Sequence, residues 1–336
     1  MTDTGAVNPI AGVRETVLVA PDSFKGTFTA GEVAEAIGTG LRDGGRSADL
    51  CPAADGGEGT LDALVAAMGG EVQTAKVSDP LGRTIEAEFA VNGSTAIVET
   101  AAASGLGLVA AAERDAIEAS TFGTGELLVA AAAAGADTIL LGVGGSATTD
   151  GGAGAIRAIE RGGGLDGVRV VVLCDVRTTF ADAARVFGPQ KGADLDDVRR
   201  LTARLNAQAR RLPRDPRSEP MTGAAGGLSG GLWAAFGAEL VSGAAFVLDA
   251  VGFDARMRAA RAVITGEGKL DEQSLVGKVV SEVATRSRQA GVPCNAVVGT
   301  CALDAMGARV LDLERVLEAT TLDELRDAGR ELAQLL

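Results

Sequence analysis

Histidine and tyrosine are absent from this 336-residue chain, and tryptophan occurs once. The missing histidine removes Ser-His-Asp and Cys-His nucleophilic catalysis, His-ligated zinc and phosphohistidine chemistry together. Acid–base work must fall to carboxylates, lysine, cysteine, hydroxyls or water. Aromatic residues make up 3% of the chain against 46% hydrophobic residues overall, so the interior must be built from Ala, Val, Leu and Ile. The four cysteines, Cys51, Cys174, Cys294 and Cys301, include no CxxC pair and read as reduced core residues. Lysine is scarce too: Lys25, Lys76, Lys191, Lys269 and Lys278 are the whole complement. With 31 basic residues against 45 acidic, for a net charge of −14, nonspecific binding to nucleic acid or to an anionic membrane is not expected. No basic residue precedes Arg14 and the nearest apolar stretch is short, so no secretory leader is expected and the cytoplasm is the default location. The stretch Leu127 to Gly145 carries Asp137 as its only charge, but Gly135 divides an alanine-rich helix from a strand-like run, which argues against a membrane span.

Glycine is what the chain has in excess, 47 residues, about twice ordinary usage and without a collagen period. Apolar runs that end in Gly, Ser or acidic loops alternate with amphipathic segments, the mark of an α/β protein. Val17 to Ala20 reads as a buried strand, and Thr29-x-x-Glu32 as a capping box opening a helix with Val33, Ala36, Ile37 and Leu41 on one face. A second unit runs from Leu50-Cys-Pro-Ala through Asp55 into a helix aligning Leu61, Leu64, Val65 and Met68. From Val72 to Ala101 short alternating runs joined by Asn92-Gly93 predict a β-hairpin. The expected organisation is therefore a discontinuous α/β domain, 12–72 with 255–336, interrupted by a mixed α/β domain over 73–254. Further strands are expected near 138–143, 168–173, 262–265, 296–298 and 316–319. A last helix is expected after the capping box Thr321-x-x-Glu324, with Leu322, Leu325, Leu332 and Leu336 aligned. Arg210 to Pro220, with three prolines and four arginines, reads as an exposed loop.

Five predicted strands end in a carboxylate within a small-residue loop: Asp22, Asp55, Asp150, Asp175 and Glu267. One such residue is usually an N-cap, but the carboxyl edge of an open α/β sheet is also where ligands bind. Three glycine-rich loops could turn backbone N–H groups onto a phosphate: Gly142 to Gly154, Gly223 to Gly231, and Thr265-Gly-Glu-Gly-Lys-Leu-Asp271. For the second, close packing of helix on sheet explains the glycines equally well. No Gly-x-x-x-x-Gly-Lys-Ser/Thr run occurs, which excludes a P-loop; Gly142-x-Gly144-x-x-Ala147 matches a relaxed dinucleotide fingerprint and keeps an NAD-dependent oxidoreductase open. Lys25, Lys191, Lys269 and Lys278 all stand beside Gly or Ser, where an ammonium can follow phosphate or carboxylate oxygens. Asp55-Gly-Gly-Glu58 offers two oxygen donors around a turn, suited to magnesium, with helix capping by Glu58 the alternative. Glu99, at the end of a hairpin strand, faces either the same cleft or solvent.

Taken together these residues resemble the bacterial glycerate kinases of the type with a flavodoxin-like domain and a second domain likened to restriction enzymes. The resemblance is carried in order by Ala20-Pro-Asp-Ser-Phe-Lys-Gly26, Ala54-Asp-Gly-Gly-Glu-Gly-Thr60, Gly123-Thr-Gly125, Gly142 to Gly154, Phe187-Gly-Pro-Gln-Lys-Gly-Ala193, Gly223-Ala-Ala-Gly-Gly227 and Thr265 to Ser274. It implies a flavodoxin-like, doubly wound parallel sheet interrupted by a mixed α/β domain, and phosphoryl transfer from ATP with Mg2+ to a hydroxyl of D-glycerate, with 2-phosphoglycerate favoured. Under it Asp150 or Asp175 would accept the hydroxyl proton and Lys25 would assist. Gly144, Gly145, Ser146, Lys191, Gly266, Glu267, Gly268 and Lys269 would hold nucleotide phosphates. Ser23, Asp55, Gly56, Gly57 and Glu99 would bind substrate, and Asp55 with Glu58 the metal. The stretch from Gly154 to Asp175 is shorter than is usual in the family, Val176-Arg177 replaces an Asn-Pro-Leu type turn, and Val279 follows Lys278 where proline is common. A catalytically impaired member acting as a binding protein is therefore an alternative, and the oligomeric state, a homo-oligomer included, stays open.

Overall fold

The protein is seen as a computed structural model that describes residues 15–275 and 277–336. The start of the expected 12–72 segment lies outside the described residues. Along the chain run β1 (Thr16–Pro21), β2 (Ser47–Leu50), β3 (Glu71–Ser78), β4 (Thr84–Asn92), β5 (Thr95–Glu99), β6 (Thr138–Gly142) and β7 (Arg169–Cys174). They are followed by β8 (Glu239–Ser242), β9 (Ala262–Gly266), β10 (Lys269–Leu270), β11 (Cys294–Val298), β12 (Thr300–Cys301) and β13 (Val316–Glu318).

Five of these strands form an all-parallel sheet in the order β13-β11-β9-β1-β2. Counted within the sheet this is the flavodoxin order, 2-1-3-4-5. Helices on both faces make its strands continuous apolar runs. On β1, Val17 and Val19 face the helices Ala30–Asp43 and Leu322–Leu335, while Leu18 and Ala20 face the opposite layer. Both flanking helices begin with the expected capping boxes, at Thr29 with Glu32 and at Thr321 with Glu324. Two aligned residues fall outside their core: Leu322 is exposed in the first turn of its helix, and Met68 at the last turn of Thr60–Met68. The second predicted strand ends at Leu50 rather than beginning there, because Cys51 to Ala54 continue as extended loop bonded to Val19 and Pro21 carbonyls.

The six remaining long strands form one mixed sheet, β3-β4-β5-β6-β7-β8. The hairpin at Asn92-Gly93 joins β4 to β5 in antiparallel register, and the parallel part begins at β5–β6. The alanine-rich stretch is the helix Phe122–Ala133 followed by β6, and among the described residues no helix is long and apolar enough to cross a membrane. Leu18, Ala20, Val263 and Ala296 from the parallel sheet share one core with Ile97, Leu140, Val171 and Leu173 from the mixed sheet, bridged by Leu64, Val247, Leu248, Phe253 and Met257. The single tryptophan, Trp233, lies on the helix Leu228–Phe236 with the Arg214 guanidinium stacked 4.3 Å from its ring centre.

Candidate active site

In the parallel sheet β1 lies between β2 and β9, so the chain reverses its direction of sheet growth at the β1–β9 step. Loops leaving the carboxyl ends of two such strands diverge and leave a crevice. Here the crevice is a cleft of about 400 Å³ lined by the Asp22–Thr27 loop after β1, Glu267 to Lys269 after β9, Lys278, and Gly299-Thr300 after β11. Phe24 pins the first loop: its ring is buried, and its backbone pairs with Phe28 in both directions at 2.8 and 3.0 Å. Gly299 N–H bonds to the Glu267 carbonyl at 3.1 Å, and a Cβ on Gly299 would stand 2.4 Å from the Gly268 carbonyl oxygen, so the β9 and β11 loops touch backbone to backbone.

Carboxylates and ammonium groups converge at this edge. Lys25 Nζ is 3.6 Å from Asp55 Oδ2, and Lys278 Nζ is 3.3 Å from Glu267 Oε2. Asp22, Asp55 and Glu267 are all buried, and Asp175 is half-buried. Burial, and then the charge of Asp55, push the Asp175 carboxyl up to about 7. Asp55 lies within hydrogen-bonding reach of it, a contact that only a protonated carboxyl can donate. Asp22 is raised well above the usual carboxylate range, by burial first and Asp55 second, and burial likewise raises Glu267. Lys25, whose side chain is exposed, is held charged above the usual lysine range, by Asp55 above all. Three buried oxygens at this edge, Ser23 Oγ, Asp55 Oδ2 and Glu267 Oε1, have no hydrogen-bond partner. Unpartnered buried oxygens in a cleft mark places where a ligand completes the bonding.

A second cleft of about 460 Å³ shares Ser23, Lys25 and Thr27 with the first and continues along Phe28, Pro52, Glu58, Asp62 and Ala66. The Ser23–Thr27 loop is thus a common wall between two spaces. Behind it, Asp55 Oδ1 accepts from Gly57 N–H at 3.0 Å, and the Gly56-Gly57 turn lies directly on Gly144, where an added Cβ would come 2.3 Å from the Gly57 Cα. Gly56 itself, at φ +94°, rests on the Leu173 carbonyl. These glycine contacts bring the Asp55 loop against the ends of β6 and β7, and so against Asp175.

The structure does not bring every expected residue here. Asp150 lines neither cleft: its two oxygens accept from the N–H groups of Thr121, Gly152 and Gly154 and from the Thr121 hydroxyl, at 2.9 to 3.1 Å. It fastens the Thr121 turn to the helix Ala153–Arg161. Lys191 is buried, its ammonium donating to Ser146 Oγ at 2.9 Å and to the Thr148 carbonyl. Burial lowers it to about 7. Gly145 and Ser146 are bound to the Gly105–Leu106 segment. Glu99 accepts from Leu61 N–H at 2.8 Å and so caps the helix Thr60–Met68; burial raises it to about 7. Glu58 borders the second cleft, away from Glu267. The loose dinucleotide fingerprint fails on local structure: the helix begins at Ala153, not at Ala147, and Gly56-Gly57 already occupies the face of Gly144. Much of the Gly142–Gly154 run is a packing device. Gly226 and Gly231 of the second run lie on the carbonyls of Thr148 and Gly151. Asp22 and Lys278, which line the first cleft, were visible in the sequence as a strand-end carboxylate and a loop lysine, but nothing local set them apart from their neighbours.

The site defines an α/β enzyme with lysines and carboxylates facing each other across a sheet-edge crevice. The glycerate kinase family profile matches residues 17–163 and 160–336. A glycerate kinase of Halalkalibacterium halodurans is 40% identical over 324 residues, covering 85% of each chain, and a glycerate 2-kinase of Escherichia coli is 37% identical over 323 residues, covering 84% of this chain and 85% of its own. The crystal structure described as that of glycerate kinase 2 from Salmonella typhimurium LT2 superposes with a TM-score of 0.79 at 33% identity, covering 95% of this chain and 97% of that one. The chain belongs to the glycerate kinase family, whose activity is the phosphorylation of glycerate.

Proposed function

We propose that this chain transfers the terminal phosphoryl group of ATP to the 2-hydroxyl of D-glycerate, giving 2-phosphoglycerate, at the crevice between β1 and β9. The observation that carries the reading is the convergence of Lys25 and Lys278 with Asp22, Asp55, Asp175 and Glu267 around three unpartnered buried oxygens. Phosphoryl transfer asks a protein mainly for position and for charge neutralisation. Lys25 and Lys278 supply positive charge for phosphate oxygens. Ser23 Oγ, buried and free to donate, suits the substrate carboxylate. Asp175, poised near neutrality, accepts the proton of the attacking hydroxyl. Asp150 keeps a supporting role, since its lone pairs are already taken.

Magnesium fits the donors present: Asp55 Oδ2, which faces Lys25 Nζ, and Glu267 Oε1 are hard oxygens without a hydrogen-bond partner. Such an ion is ordinarily held by one or two carboxylates together with water and phosphate oxygens. Bound there, it would neutralise phosphate charge.

The test is an ADP-release assay with Mg-ATP and D-glycerate, with the product fed to enolase in the absence of a mutase. Turnover of roughly 1–100 per second with immediate enolase coupling is the expected result. Turnover without that coupling would move the reaction to the 3-hydroxyl, and no turnover with glycerate would overturn the reading.

A further inference from the structure

The mixed sheet carries a cleft that the phosphoryl-transfer site does not use. It holds about 430 Å³ and is lined by the Ile117–Ser120 turn, Asp150, Arg157, Arg204, Gln208 and Arg211. That volume accommodates a small metabolite. It shares no lining residue with either cleft at the sheet edge.

Three arginines line this one cleft of an acidic chain. Arg83, Arg169, Arg256 and Arg286 each find a carboxylate partner, whereas among the described residues Arg157, Arg204 and Arg211 form no ion pair. Arg204 donates only to backbone, through Nη1 to the Ile117 carbonyl at 2.7 Å and Nη2 to the Thr149 carbonyl at 2.9 Å. Its Nε is closed off from bulk water with no acceptor, a costly state for a guanidinium N–H. The two acids of the cleft do not neutralise the three cations. Asp150 is turned inward onto the Thr121, Gly152 and Gly154 N–H groups, and Glu118 is exposed at the rim. Arg157 and Arg211, both exposed and without an ion pair, line this concavity and offer forked donors of the kind that match tetrahedral oxyanions.

We infer that this cleft is a second ligand site, for a compact phosphorylated anion, separate from the phosphoryl-transfer centre. Arg157 and Arg211 grip the phosphate from the exposed side. Arg204 holds the floor of the cleft while clamping Thr149, the residue before Asp150 in the glycine-rich run whose other end packs on the Asp55 turn. A ligand here is therefore joined by a short backbone path to the carboxylates of the reaction site.

Inorganic pyrophosphate is the probe, titrated calorimetrically into the full chain at low salt, with circular dichroism confirming the fold of each variant. Two proteins are compared with the wild type: Lys25→Ala with Lys278→Ala, which strips positive charge from the sheet-edge crevice, and Arg157→Gln with Arg211→Gln, both exposed positions. The expected result is a saturable pyrophosphate site that the lysine variant retains and that the arginine variant binds at least tenfold more weakly. A lysine variant that binds no pyrophosphate, or an arginine variant whose affinity for that site changes less than tenfold, overturns the inference. Neither outcome depends on whether glycerate is the substrate.

Discussion

Asp175 and Glu99 are both carboxyls raised to about 7 by burial, yet one stands beside Asp55 and the other against a helix end. Asp175→Asn is expected to lower kcat by about 10²- to 10⁴-fold, the usual worth of a general base, with the far-ultraviolet dichroism unchanged. Because the base must be deprotonated, log(kcat/KM) is expected to climb with pH and level off above about pH 7; a flat profile from pH 5 to 8 would remove Asp175 from the chemistry. For Glu99 the consequence is on stability. Folding raises its pKa, so the stability it contributes is complete below the ordinary value of 4.5 and is lost as pH rises through about 7. Glu99→Gln keeps an acceptor for Leu61 N–H and removes that loss. Its advantage in denaturant melts should grow between those pH values, to at most about 3 kcal/mol above pH 7. In the sequence Asp150 and Asp175 were equivalent, each following a strand. What separates them is where the donors are: the N–H groups that saturate Asp150 belong to the Thr121 turn and to the start of the helix Ala153–Arg161, the first of them remote in sequence. No local pattern encodes that contact.

At the level of elements, the strands and capping boxes were legible because period and end signals are local, and of the five strand-end carboxylates Asp22 and Glu267 line the sheet-edge cleft while Asp150 does not. The glycine-rich runs were legible as special but not as to purpose. A phosphate cradle and a close backbone crossing both demand residues without a Cβ, and only the fold shows that the Gly223–Gly231 run lies on the Thr148–Gly151 segment. Gly226→Ala would put a Cβ 2.0 Å from the Thr148 carbonyl oxygen at a φ of +63°. It is expected to cost about 2 kcal/mol or more, the scale of core overpacking with added backbone strain. Gly164→Ala, also at positive φ but with nothing within 4 Å, should cost about 1 kcal/mol. Equal losses in urea melts would mean that the two runs do not interlock.

Across the whole molecule, the two sheets were expected as the centres of separate domains, yet residues from both enter one core through Leu64, Val247, Leu248 and Phe253. The joining residues sit in helices whose partners are distant in the chain, so no local pattern encodes their contacts. A shared core predicts a single calorimetric unfolding transition, with equal calorimetric and van't Hoff enthalpies; two resolved peaks would show that the sheets unfold independently. The scarcity of aromatic residues then takes on an optical meaning. With no tyrosine and one tryptophan, near-ultraviolet absorbance and emission come from Trp233, whose ring is covered by Arg214 and whose helix presses on the Gly151 crossing. The chain therefore carries a built-in reporter on the helix Leu228–Phe236, and Trp233 is not among the residues that line the sheet-edge crevice. Unfolding of the glycine crossing should shift its emission to the red, whereas filling the crevice with nucleotide should leave its wavelength in place.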